Sequence, residues 1–258
     1  MTGNVCVCRT CVDPRENGFF AQHGLPPFSA FMVRRSGGFV PRPSPAHDVS
    51  TSGLMLMELG KSPIFVLQGH RHCAAIGVLF RSHGKPPEAW TDTERAFQKS
   101  HGEALEAVKQ LAANLPEEPQ LRILEKACAL QSVNNFFQFD EVGALQKNTR
   151  PILYVYYSQS PLSADDLHTA EDAAKLPLMI FDPAQGVFVQ LAAQGNEGLR
   201  ASDLIDMQRL VPFDRHAFQV SQPVDLRAVI RNELRFAMAG TVPLLEKPDS
   251  AKIVAAQS

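Results

Sequence analysis

Two short stretches of the chain carry side chains that bind transition metals. Cys11 follows an apolar run near the start, and His70 and Cys73 follow a later apolar run. Thiolate and imidazole are ligands that zinc favours, and three protein ligands leave a fourth tetrahedral position open. If the two runs are neighbouring strands of a parallel sheet, their carboxyl ends meet at one edge. The sequence therefore predicts one zinc ion bound by Cys11, His70 and Cys73.

Two charged residues, Asp13 and Arg15, follow Cys11 at alternate positions. A carboxylate beside a metal-bound water can accept its proton in a hydrogen bond, and a guanidinium can hold that carboxylate with two hydrogen bonds. The simpler interpretation is an exposed ion pair at the end of a strand, which carries little energy. The residues alone leave both interpretations open.

The remaining cysteines and histidines have simpler explanations. Cys6, Cys8 and Cys11 spell C-x-C-x-x-C, which allows a cysteine-rich metal site, but Cys6 and Cys8 lie inside an apolar strand pattern and suit a core better. Cys128 falls on the apolar stripe of a helix and is also expected in the core. His72 is either a proton shuttle or a local hydrogen-bonding residue. No role is assigned to the histidines in polar or loop-like surroundings, which are His23, His47, His83 and His101.

Composition excludes several classes of function. The chain has 258 residues, 45% of them hydrophobic, which is enough for one large domain or a domain with an appendage. Its formal net charge of -2 gives no broad basic surface for nucleic acid. We expect no membrane span and no signal peptide, and five cysteines in so long a chain do not indicate a disulfide framework. A reducing cytoplasm is the expected location.

The elements that must position these side chains alternate between strands and helices. Strands are predicted at 5–10, 28–33, 63–68 and 151–157, with a hairpin at 176–191, and helices at 54–60, from about residue 73, at 92–115, 121–139, 202–210 and 224–240. This alternation favours an α/β fold with a mostly parallel central β-sheet flanked by helices. The pattern changes beyond residue 192. We therefore divide the chain into a zinc-binding α/β domain, 1–194, and a helical C-terminal extension, 195–258.

The order and spacing of these motifs resemble the β-class carbonic anhydrases. The similar motifs are C-x-D-x-R at 11–15, an arginine followed by glycines at 34–38, and G-H-x-x-C at 69–73, and the resemblance covers roughly residues 4–191. It implies zinc on Cys11, His70 and Cys73, and Asp13 with Arg15 as the catalytic dyad. It also implies a homodimer or higher homo-oligomer. The reaction would be the reversible hydration of carbon dioxide to bicarbonate by a zinc-bound hydroxide.

Three residues depart from the family pattern. Pro14 replaces the usual serine, Arg35 adds a cation, and Ala74 stands where the family has a glycine, which is costly if that backbone needs a positive φ. The metal ligands are complete despite these changes. Two alternatives stay open: a hydrolase of a related linear molecule, carbonyl sulfide or carbon disulfide, and a catalytically weak zinc-binding scaffold.

Overall fold

A computed structural model describes residues 6–12, 30–43, 64–139, 142, 152–158, 178–191, 218–241 and 243–245. Its strands are β1 (Cys6–Cys11), β2 (Ala30–Arg35), β3 (Ile64–His70), β4 (Ile152–Ser158), β5 (Leu178–Asp182), β6 (Val187–Leu191) and β7 (Leu244–Leu245). Its α-helices are α1 (Ala74–Arg81), α2 (Asp92–Leu111), α3 (Glu117–Phe137) and α4 (Leu226–Ala239). Short 3-10 turns occupy Ser36–Gly38 and Pro87–Ala89.

The described strands form one sheet in the order β2-β1-β3-β4-β5-β6-β7. Neighbours from β2 to β4 run parallel, β5 is antiparallel to both β4 and β6, and β7 is parallel to β6. β3 is apolar without alternation, and its Phe65, Val66 and Leu67 are all buried, as expected for a strand covered on both faces. The predicted α/β class, with a mostly parallel sheet, is confirmed.

The predicted hairpin is present as β5 and β6. The Asp182 carboxylate at the end of β5 accepts hydrogen bonds from the backbone N–H groups of Ala184 and Gln185. Gly186 then turns the chain at φ 65°, where a side chain would be strained. Local hydrogen bonding by an aspartate followed by a glycine thus fixes this turn, as its sequence indicates.

The two helices predicted at 92–115 and 121–139 have different boundaries in the structure. The first begins at a capping box, because the Thr91 hydroxyl accepts from the N–H of Glu94 and the Glu94 carboxylate accepts from the N–H of Thr91. It ends at Leu111. Pro116 restricts the residue before it and then leads directly into α3, so the second helix starts earlier than its apolar stripe suggests.

Helix α3 lies at the centre of the core. One group of its residues, including Val133 and Phe136, packs on Phe65 and Leu153 of the sheet. Another, including Leu124 and Cys128, packs against α1 and α2. The predicted core position of Cys128 is confirmed. The three tyrosines of β4 are buried as well: Tyr154, Tyr156 and Tyr157.

The C-terminal part described here extends the sheet and the helical layer. β7 pairs with β6, Val220 bridges to Leu153 of β4, and α4 provides Val229 and Ile230 to the core. The helix was predicted, but β7 was not, because a strand of two residues carries no readable period. The helices predicted at 54–60 and 202–210 lie outside the described residues. The division between 194 and 195 stays a prediction.

Among the described residues, none of the helices has the length and apolar character needed to cross a membrane.

Candidate metal centre

The three predicted metal ligands lie together at the carboxyl ends of two neighbouring strands. Cys11 is the last residue of β1, His70 is the last residue of β3, and Cys73 lies immediately before α1. β1 and β3 pair in parallel, so their last residues share one edge of the sheet. Topology, rather than closeness in sequence, therefore brings Cys11 to the His70–Cys73 turn.

The cluster is compact and buried. One ligand atom from each of Cys11, His70 and Cys73 lies within 4.8 Å of the other two, and the three residues are 4%, 1% and 3% exposed. Tetrahedral zinc, with Zn–S of about 2.3 Å and Zn–N of about 2.0 Å, places its ligand atoms about 3.5–4 Å apart. Two sulfurs and one imidazole within 4.8 Å of one another could hold a zinc ion.

The imidazole of His70 is oriented by its own loop. Its Nδ1 lies 3.0 Å from the backbone carbonyl oxygen of Arg71. A nitrogen facing a carbonyl carries the proton and donates it, which leaves the lone pair on Nε2. The tautomer set by this contact is therefore the one that presents Nε2 as a metal ligand.

The thiols of Cys73 and Cys11 are buried beside each other, and this changes the pKa of Cys73. Its pKa is raised well above the usual value, first by its hydrogen bond with Cys11 and then by burial, while the backbone N–H of Ile76 in α1 opposes this effect. A cation between the two sulfurs reverses the balance, because a coordinated thiol loses its proton. Metal binding at this site would therefore release the Cys73 proton.

Cys11 is held from the other side by the turn after β2. The backbone N–H of Gly37 donates to Cys11 Sγ at 3.2 Å. Gly37 and Gly38 both have positive φ, and a Cβ on Gly38 would lie 2.9 Å from the carbonyl oxygen of Gln68. The glycines noted after Arg35 therefore let this backbone approach the strand tips closely.

The backbone between the second and third ligands has one strained residue, and it is not Ala74. His72 has φ 57°, the left-handed region that non-glycine residues rarely adopt. Ala74 begins α1 with helical geometry, so the cost considered for alanine at this position does not arise. The departure from glycine at Ala74 is accommodated by the helix.

The structure also shows a contact of the cluster that the sequence analysis missed. Glu125 of α3 accepts a hydrogen bond from the backbone N–H of Cys73 at 3.0 Å and from the hydroxyl of Tyr157 at 2.6 Å. The signal available was a carboxylate directly beside the apolar stripe of Leu124 and Cys128. A charged side chain on the buried face of a helix needs partners, and that requirement was not used.

The sequence places His101 in polar surroundings, whereas the structure places it in the core. Its surroundings looked polar, yet the imidazole is fully buried, stacks on Phe39 with ring centroids 3.9 Å apart, and lies 2.9 Å from Ser132 Oγ. Burial lowers its pKa to about 3, and the Arg42 cation adds to the effect. The ring is a neutral part of the core that anchors the Phe39 segment, because α2 turns it inward.

Asp13 and Arg15, the predicted catalytic dyad, lie outside the described residues, as does Pro14. The backbone of Arg35 is the end of β2. Their roles therefore stay predictions from the sequence.

A cavity of about 430 Å³ is lined by residues close in sequence to Cys11 and Gly37, although none of the three candidate ligands lines it. Val12 and Ser36, the neighbours of Cys11 and Gly37 in sequence, line one side of it, and Phe39 and Phe97 line another. Arg42 and Lys99 add two cations to this mostly apolar lining. Such a cavity can admit a small apolar molecule and hold a small anion.

Comparisons with known proteins identify the fold. No protein-family model matches the sequence, and no curated protein matches it significantly. The structure of the β-carbonic anhydrase CcaA is similar, with a TM-score of 0.57 and 14% identity over 76% of this chain and 81% of that chain. A tetrameric β-carbonic anhydrase from Sordaria macrospora gives 0.49 and 16% over 60% and 75% of the two chains. CafA from Aspergillus fumigatus gives 0.48 and 15% over 67% and 80%.

The TM-score of 0.57 shows a shared fold, and at 14% identity it shows the fold alone. The chain has the α/β fold of the β-carbonic anhydrase CcaA.

Proposed function

We propose that the chain is a zinc-dependent carbonic anhydrase that hydrates carbon dioxide reversibly to bicarbonate. The observation that carries the proposal is the buried Cys11–His70–Cys73 cluster at the tips of β1 and β3, in a fold shared with a β-carbonic anhydrase. A closed structural site uses four protein ligands, whereas three ligands are typical of a catalytic one.

Zinc bound by these three residues would lower the pKa of a water molecule to about 7 and so supply the nucleophile at neutral pH. The chain's own part is to fix the three ligands and to shape the space beside them. The apolar wall of the cavity lined by Phe39 and Phe97 suits carbon dioxide, and Lys99 adds a cation that suits the bicarbonate anion. Asp13 and Arg15 are assigned the task of orienting the nucleophile by hydrogen bonding.

The test is metal content together with stopped-flow carbon dioxide hydration on the purified full chain. We expect about one zinc per chain and measurable hydration in the wild type, and in Cys73→Ser clearly less than one zinc per chain and hydration at the background rate, because one of three ligands is lost. Cys128→Ser is the matched control, because Cys128 is buried in the helical core and is not part of the cluster.

Zinc-loaded wild type without hydration at neutral and at alkaline pH would contradict the proposed reaction. A sulfide-release assay with carbonyl sulfide on the same sample then tests the related hydrolase. The homo-oligomeric state is part of the proposal through the sequence resemblance, and light scattering of the purified chain measures it. The cytoplasmic location is part of the proposal through the composition of the chain.

A further inference from the structure

The carboxylate of Glu125 occupies an unusual position for a charged group. It is 3% exposed, on the helix that lies at the centre of the core. Taking a carboxylate out of water costs several kcal/mol unless hydrogen bonds compensate, and burial raises the pKa of Glu125. The Glu125 carboxylate therefore needs hydrogen-bond partners within the core.

Those contacts lead to the candidate metal centre. Oε1 accepts from the backbone N–H of Cys73 at 3.0 Å, and Oε2 accepts from the hydroxyl of Tyr157 at 2.6 Å. The backbone N–H of His72 also hydrogen-bonds to the carboxylate and lowers its pKa. One side chain from α3 therefore accepts hydrogen bonds from two consecutive backbone N–H groups, those of His72 and Cys73. The hydroxyl of Tyr157 in β4 donates to the same carboxylate.

The turn that Glu125 binds is also held at Arg71, whose backbone N–H donates to the carbonyl oxygen of Ser158 at 2.9 Å, but Glu125 is the contact described at the N–H of Cys73. Cys73 is the N-cap residue of α1, a position that Ser, Thr, Asp or Asn usually occupies, and its sulfur belongs to the cluster. The N–H groups at the start of a helix need partners from elsewhere. His72, with φ 57°, adds backbone strain that only surrounding contacts can hold.

We propose that Glu125 is a positioning residue for the metal centre: it holds the 70–73 turn so that Cys73 Sγ faces Cys11 and His70, and Tyr157 fixes the carboxylate. This inference rests on the proposed function, since it assumes that the cluster binds zinc. Residues that orient metal ligands in this way typically change metal affinity by about 10–100-fold when they are replaced.

The experiment compares zinc release from the loaded full-length protein to a chromophoric chelator. Glu125→Leu removes both acceptors, whereas Glu125→Gln keeps an acceptor for Cys73 and a polar partner for Tyr157. Glu118→Ala is the matched control on the same helix, because Glu118 contacts the same turn through an Arg71 ion pair that is partly exposed. Thermal unfolding of the metal-free proteins and the thiolate-to-cobalt absorption band of the cobalt-loaded proteins are recorded in parallel.

We expect Glu125→Leu to release zinc about 10–100-fold faster and to change the cobalt band. Glu125→Gln and Glu118→Ala should stay within about 3-fold of wild type with an unchanged band. A role limited to stability would lower the melting temperature of metal-free Glu125→Leu and leave the release rate and the band unchanged, which would overturn the inference.

Two further outcomes also decide the question. If Glu125→Leu does not fold, Tyr157→Phe takes its place, and zinc release at the wild-type rate from that variant would overturn the inference while the proposed function stands. A wild type that retains no zinc would overturn both, so the two failures are distinguishable.

Discussion

At the scale of single residues, each candidate ligand residue is fixed by a hydrogen bond. Gly37 donates its N–H to the sulfur of Cys11, His70 donates its Nδ1–H to the carbonyl of Arg71, and Cys73 donates its own N–H to Glu125. Outer contacts of this kind set the direction of a ligand before a metal arrives. The residue types of the ligands are readable from spacing, but the supports of Cys11 and Cys73 are not, because Gly37 and Glu125 lie 26 and 52 positions away from them.

The backbone strain at His72 predicts that glycine is more stable than alanine at this position. We expect His72→Gly to be more stable than His72→Ala by about 1 kcal/mol, because glycine adopts a φ of 57° without steric cost. Ala74→Gly, at the helical start of α1, should instead be less stable than wild type by about 0.5–1 kcal/mol. Urea unfolding of the metal-free proteins measures both, and equal stability of the two His72 variants would show that the turn is relaxed.

The buried His101 predicts a dependence of stability on pH. Its pKa falls from an ordinary 6.5 to about 3 in the folded chain, so the unfolded chain binds a proton first as the pH drops. Its contribution is complete above pH 6.5 and declines by about 1.4 kcal/mol per unit between 6.5 and 3. The free energy of unfolding should fall less steeply in His101→Gln between pH 6.5 and 5. Parallel pH profiles for the two proteins would contradict the buried, neutral ring.

At the scale of elements, the two strand tips and the start of α1 determine where the ligands lie. The apolar run of β3 and the turn that follows it were clear in the sequence, and so was the parallel sheet. The boundary of α3 was not, because its first turn, Glu117–Gln120, lies ahead of the apolar stripe and follows a proline. Glu125 and Tyr157 come into contact only when α3 packs on β4, so no local sequence pattern indicates their hydrogen bond.

In the turn after β2, we expect one added methyl group to lower the free energy of unfolding strongly. Gly38→Ala adds a Cβ 2.9 Å from a backbone oxygen at φ 67°, so we expect a loss of about 2–4 kcal/mol in the free energy of unfolding. Gly84→Ala has a similar φ of 78° but no atom within 4 Å of the added Cβ, and it should cost only about 1 kcal/mol. Denaturant unfolding compares them, and equal losses would mean that φ alone matters at Gly38.

At the scale of the whole molecule, the C-terminal helix is tied to the sheet through one buried carboxylate. Glu233 of α4 accepts the N–H of Phe188 in β6 at 2.8 Å and pairs with Lys126 of α3 at 2.5 Å. The sequence predicted the helix from its apolar face. It could not predict this pair, because its members lie 107 positions apart and meet only in the packed fold.

Removing that carboxylate should loosen the C-terminal helix. Glu233→Ala leaves a largely buried lysine and an N–H group without their acceptor, so we expect a loss of about 3–5 kcal/mol in the free energy of unfolding. Arg231→Ala, on an exposed position of the same helix, should change stability by no more than about 0.5 kcal/mol. Similar losses in the two variants would contradict the docking of α4 through Glu233.

The most direct measurement of the central claim is zinc K-edge X-ray absorption on the zinc-loaded full chain, wild type and Cys11→Ser. We expect two sulfur ligands at about 2.3 Å and one imidazole nitrogen at about 2.0 Å in the wild type, with a lighter atom completing the shell. Cys11→Ser should retain at most one sulfur. A shell of four sulfurs, or a sulfur count unchanged by Cys11→Ser, would contradict a metal centre made of Cys11, His70 and Cys73.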